Sequence, residues 1–194
     1  MARLFHIGAA TPSSRATQSP RRRRRGSIGL RIAVLLAGLL AGTAARANLQ
    51  PGDSFPSLVA AGLAGAPPPA TAGKVVLVDF WASWCAPCRM SFPAYAKLQA
   101  DYRAHGLIVV AVSVDENPAA YEAFVKRLNP SFVVMRDQAQ RLVHQVKVPA
   151  MPTCYLLGRD GRVRFVHQGF HGDDTERELR REIVALLTEN PRSP

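Results

Sequence analysis

The segment "VLVDFWASWCAPCRMSFP", residues 76–93, holds two of the chain's three cysteines, Cys85 and Cys88, with two residues between them. Just before them "VVLVDF" (75–80) is a continuous apolar run with β-branched residues, which predicts a strand buried on both faces. Just after them Phe92, Tyr95, Leu98 and Tyr102 recur at three- and four-residue spacing, which predicts a helix over Cys88–Arg103. The pair could hold a metal, staple a fold or pass electrons. Three cysteines are too few for a disulfide-stapled scaffold. Structural zinc calls for four Cys/His ligands, usually as two paired clusters, and there is one CxxC. Cys85 follows a buried strand where a helix begins, so the unpaired amides and the positive end of the helix dipole face its sulfur and favour the thiolate. Cys88 lies one turn further in, placed to close on a mixed disulfide formed at Cys85.

Working outward, "GLIVVAVSV" (106–114) predicts a second buried strand, and "NPAAYEAFVKRL" (117–128) a helix capped by Asn117 with Pro118 in its first turn. A short strand is expected in 131–137 and a short helix in 140–146. "TCYLLG" (153–158), the turn Arg159-Asp160-Gly161 and "RVRFVHQG" (162–169) predict a hairpin. An amphipathic helix carrying Leu179, Ile183, Leu186 and Leu187 follows over Thr175–Glu189. This order gives a three-layer α/β domain with a mixed sheet over 74–190. Residues 48–73, rich in Ala, Gly and Pro with a small apolar patch at Phe55–Val59, are expected to form a loosely structured lead-in with at most a short hairpin.

The formal charge of +11 is concentrated at one end. Residues 1–47 hold nine of the 25 basic residues and no acid, so 16 basic and 14 acidic residues remain, a balance of about +2 that argues against a nucleic-acid binder. The same 47 residues run from a basic stretch ending at Arg31, through the apolar "IAVLLAGLLAGTAA" (32–45), to Ala45-Arg46-Ala47 as a small-x-small cleavage site. An export signal cleaved after Ala47 is expected. The alternative is an uncleaved membrane anchor, for which 14 residues are short against the roughly 20 a bilayer span needs. The 147 residues that follow suffice for one domain.

"VDFWASWCAPC" (78–88) resembles the thioredoxin superfamily, and 55–187 resembles its exported TlpA/ResA-like disulfide reductase branch. The branch resemblance rests on "CRMSFP" (88–93), the helix-bearing insertion in "SVDENPAAYEAFVKRL" (113–128), "MPT" (151–153) and "GRDGRVRFVHQGF" (158–170). It implies a thioredoxin-like three-layer fold, a mixed sheet flanked by helices, with that extra helix inserted. It further implies Cys85 as nucleophile, Cys88 as resolving thiol, Pro152 as a cis-proline facing the pair, and Trp84 in a docking surface. No cofactor is expected beyond a redox-active Cys85–Cys88 disulfide, and no metal.

The chain departs from the branch at two positions. Many members carry Glu three residues after the second cysteine, where this chain has Ser91; many also carry Asn at the position of Asp79, whereas ordinary thioredoxins carry Asp there. The role of buried carboxylate, taking the proton of the resolving thiol, therefore moves to Asp79, with Glu116 as a weaker candidate. Cys154 is expected to be a buried free thiol, Trp81 core packing, and His167 and His171 surface residues. The resemblance implies reduction of disulfides in client proteins, apocytochrome c or copper-site proteins among them, outside the cytoplasmic membrane. A membrane thiol carrier of the DsbD/CcdA kind would supply the electrons. The competing reading is a copper-binding assembly chaperone using the same cysteines.

Overall fold

In the computed structural model, residues 48–189 are described. The predicted signal or anchor, 1–47, and the last expected residue of the domain, 190, lie outside them. The apolar runs form the middle of the sheet. β2 (Val75–Trp81) and β3 (Leu107–Ser113) pair in parallel with Asp79 opposite Ala111, and β4 (Val133–Arg136) extends the parallel set beyond β3. β5 (Thr153–Leu157) runs antiparallel on the other side of β2, and β6 (Val163–Gln168) antiparallel to β5, which is the expected hairpin. With β1 (Ala64–Gly65) at the far edge, the six-stranded order is β1-β4-β3-β2-β5-β6.

Alternation along β2 sorts its side chains into two cores. Val75, Leu77 and Trp81 face one core with helix α1 (Ala86–Tyr102), helix α2 (Pro118–Leu128) and helix α4 (Asp173–Thr188), which contribute Phe92, Leu98, Phe124, Leu179 and Ile183. Val76, Val78 and Phe80 face the other core with helix α3 (Arg141–Val146), which contributes Leu142 and Val146. Helices thus cover both faces, as the three-layer expectation requires, and the inserted α2 takes its place through Phe124, whose ring lies 4.4 Å from that of Trp81. Asn117 caps α2 as predicted, accepting from the amides of Ala119 and Ala120. No helix of the described residues is long and apolar enough to cross a membrane.

Two expectations need correction. The CxxC helix begins at Ala86 rather than Cys88, because Pro87 fits the first turn, where an amide would be unpaired in any case. The lead-in has little regular structure but is not loose. Gly52 donates to Val163, Val163 donates to Asp53, and the 54–162 bridge lays this stretch along β6. Phe55 packs tilted against Tyr155 with ring centroids 5.6 Å apart, Leu58 is buried in the second core, and Ala64–Gly65 pairs with β4. Instead of a hairpin within itself, the segment closes both sheet edges and one face, so a boundary at Lys74 would cut through packed structure.

Candidate active site

β2 ends at Trp81 and the chain turns through Ala82–Trp84 before α1 begins. The turn is held by Asp115, a carboxylate only 4% exposed just beyond β3. It accepts from the Ser83 amide at 3.1 and 3.0 Å, from the Ser83 hydroxyl at 2.7 Å and from the Ser113 hydroxyl at 2.7 Å. The loop that delivers Cys85 is therefore tied to the end of the neighbouring strand by charge-assisted hydrogen bonds. Sequence reading assigned Asp115 no role; the one available signal was an acid between two buried-strand positions and a helix cap.

Cys85 is the N-cap of α1, and its sulfur accepts from the Cys88 amide at 3.2 Å. A sulfur at that position receives both a first-turn amide and the positive end of the helix dipole, so a thiolate there is stabilised. Cys85 and Cys88 are joined as a disulfide, and both are buried, with Cys85 4% exposed and Cys88 fully enclosed. Beside them Trp84 is 72% exposed, and Met90 on the first turns of the helix is also exposed. Single exposed apolar residues are ordinary, but two flanking a reactive pair offer an apolar surface to an approaching chain. Pro152 opens β5 after a cis Met151–Pro152 peptide, and Met151 packs against the cluster that contains both cysteines.

Asp79 points into that same cluster from the middle of β2 and is completely buried. Its Oδ1 accepts from the Tyr95 hydroxyl at 3.0 Å, while Oδ2 has no hydrogen-bond partner among the described residues. Burial holds the carboxyl well above the usual carboxylate range, with the Tyr95 hydrogen bond opposing the shift. Cys154 lies directly across the ladder from Asp79, and His167 across from Cys154. Burial, reinforced by Asp79, pushes the Cys154 thiol far up, so it stays neutral. His167 is not the surface residue expected. It is 13% exposed, and its Nε2 lies 2.6 Å from Glu182 on α4, whose own carboxyl is raised by burial.

Of the residues singled out beforehand, Cys85, Cys88, Asp79 and the segment opened by Pro152 meet around one buried cluster, with Trp84 at its surface. Glu116 does not join them: it is exposed in the loop after β3, where its carbonyl accepts from Arg136, so it lacks the burial its candidacy required. Tyr95 was missed because it satisfies the apolar spacing of α1; nothing in that spacing reveals where its hydroxyl goes. Trp81 is core packing, stacked among Phe92, Tyr121 and Phe124. Among the described residues no group of three or more His, Cys, Asp or Glu side chains is placed to hold a metal ion.

The Redoxin family profile matches residues 50–183. The chain is 33% identical over 91 residues to the thiol-disulfide oxidoreductase ResA of Bacillus cereus, covering 47% of this chain and 53% of that protein. It is 33% identical over 107 residues to ResA of Bacillus anthracis, covering 55% of this chain and 60% of that one. It thus spans little more than half the length of these curated relatives. Among solved structures, a Chlorobium tepidum protein provisionally described as thiol:disulfide interchange protein DsbE superposes with a TM-score of 0.67 at 35% identity, covering 72% of this chain and 99% of that one.

Proposed function

The chain belongs to the Redoxin family, as a TlpA/ResA-like protein of the thioredoxin superfamily, and on that premise we propose that it is a thiol:disulfide oxidoreductase that reduces disulfides in client proteins. The observation that carries this reading is Cys85 at the cap of α1, with the Cys88 amide on its sulfur and Cys88 disulfide-bonded to it.

The reaction starts from the reduced pair. The Cys85 thiolate attacks one sulfur of the client disulfide, forming a mixed disulfide and expelling the other client sulfur as a thiolate. Cys88 then gives its proton to the Asp79 carboxylate, and its thiolate attacks Cys85. The Cys85–Cys88 bond forms, the bond to the client breaks, and the second client thiolate leaves. Two electrons have passed to the client, and the oxidised pair with a protonated Asp79 is the resulting state. A raised Asp79 pKa suits both halves of the cycle, since the group must accept a proton and then keep it in a dry site.

The basic, apolar and small-residue order of 15–47 supports action outside the cytoplasmic membrane; the likeness to the TlpA/ResA-like branch is what suggests apocytochrome c or copper-site proteins as clients and a DsbD/CcdA-type carrier as the donor that restores the dithiol. The test is insulin reduction driven by dithiothreitol, with a copper titration in parallel. Catalysis lost in Cys88→Ser is the expected result. Stoichiometric copper binding by a protein without turnover would refute the enzyme and favour the chaperone.

A further inference from the structure

Asp79 and Cys88 sit on different elements, and among the described residues one side chain of α1 hydrogen-bonds the carboxyl across them. Tyr95 lies two turns after Cys88 on the inward face of α1, with Ser91 one turn after Cys88. The Ser91 hydroxyl donates to the Cys88 carbonyl at 3.0 Å. Tyr95 in turn donates to Asp79 Oδ1 at 3.0 Å. All four residues are fully buried or nearly so. With Oδ1 engaged as an acceptor, a proton on the carboxyl belongs on Oδ2, the oxygen that has no other partner.

We propose that Tyr95 is a positioning residue for the resolving step: its hydroxyl ties Asp79 to the helix that carries Cys88 and reserves Oδ2 as the atom that takes the Cys88 proton. This rests on the reading of Asp79 as the acceptor. The ring serves packing alone, edge-on against Phe132 and Phe170, and phenylalanine would keep those contacts. The groups facing Asp79 are few. α1 presents Tyr95 and carries Cys88 and Ser91 on the same buried side; β5 presents Cys154, beyond which lie His167 of β6 and Glu182 of α4; β3 presents Ala111, which does not titrate. No lysine or arginine is among these, and the Tyr95 hydroxyl is the group that favours the ionised form of Asp79.

The test follows decay of the mixed disulfide between Cys85 and glutathione, formed by mixing reduced protein with oxidised glutathione and read by acid quench and mass spectrometry across pH. Asp79→Asn should lack the low-pH limb. Tyr95→Phe, its fold checked by near-ultraviolet circular dichroism, should move that limb upward by about one pH unit, slowing decay about tenfold below it and leaving the rate above it unchanged. The double variant should match Asp79→Asn. If Tyr95→Phe superimposes on the wild type while Asp79→Asn loses the limb, the Tyr95 proposal is overturned and the acceptor stands. If Asp79→Asn keeps the limb, the acceptor itself is wrong and the proposal falls with it.

Discussion

Replacing Asp79 by Asn should stabilise the oxidised protein at neutral and alkaline pH while leaving it nearly unchanged in acid. In the unfolded chain this carboxyl ionises at an ordinary value of about 3.9. In the folded protein burial holds its pKa well above that range, with a single hydrogen bond from Tyr95 in opposition. Below the unfolded value both states carry the proton and the group contributes nothing to the pH dependence. Between the two values the folded state holds a proton that the unfolded state has released, so stability falls as pH rises, by up to about 1.4 kcal/mol per pH unit. Above the folded value the loss is complete. Asparagine has nearly the shape of the protonated acid, can still accept from Tyr95 through its carbonyl oxygen, and does not titrate.

Urea unfolding of the oxidised wild type and Asp79→Asn, at steps between about pH 4 and pH 8, isolates the effect, because every other titrating group cancels in the difference. The difference should be within about 0.5 kcal/mol at the acid end and grow in favour of the variant with the slope above. The pH at which it levels off reports the pKa of Asp79 in place. Tyr95 and Cys154 do not interfere, since burial moves both hydroxyl and thiol upward, away from this window. A difference that stays constant across the range, or one that favours the wild type as pH rises, would refute the argument that Asp79 is a buried and under-bonded carboxyl.

In the reduced protein, iodoacetamide at near-neutral pH should label Cys85 before Cys88, because the cap amide and helix dipole act on Cys85 while Cys88 is enclosed; peptide mapping that finds Cys88 labelled first would reverse their roles. Ala86-Pro87 supplies no cation beside Cys85, so equilibration with dithiothreitol or glutathione should place the potential below about −200 mV, on the reducing side, and a value above roughly −160 mV would make the protein an oxidant or isomerase. Asp115→Ala should cost about 3 kcal/mol in urea unfolding, since it strands the Ser83 amide and two hydroxyls; a loss under about 1 kcal/mol would show that the turn before Cys85 does not depend on that carboxylate.

What could be read from the sequence was whatever is local and periodic. The runs at 75–80 and 106–114 announced central strands because no polar face interrupts them, Asn117-Pro118 announced a helix start, and Arg159-Asp160-Gly161 announced the hairpin turn. The cysteine pair needed only its position between a strand and a helix. The lead-in was misread because its contacts are with residues far along the chain: Phe55 meets Tyr155, and Ala64 meets Arg136, neither of which leaves a period in 48–73. Tyr95 was hidden by its own conformity, since an amphipathic phenol scores as apolar in a helix pattern while its hydroxyl answers to a strand 16 residues earlier.

The two buried aspartates near the pair show why burial alone does not mark a reactive carboxylate. Asp115 is surrounded by donors, an amide and two hydroxyls, which satisfy its charge and make it a fixed anchor for the turn before Cys85. Asp79 is at least as deeply buried but has one donor and one idle oxygen. A carboxylate so poorly solvated is expensive to keep charged and cheap to protonate, which is the property a proton acceptor needs and an anchor must lack. The sequence places both acids beside a central apolar run, Asp79 within β2 and Asp115 just beyond β3, and their different chemistry arises only when the chain folds. Tyr95 then reaches one of them, while Ser83 and Ser113 enclose the other. Neither aspartate should be able to replace the other, because a second donor to Asp79 would hold it ionised, and the loss of one from Asp115 would free the loop that aims Cys85.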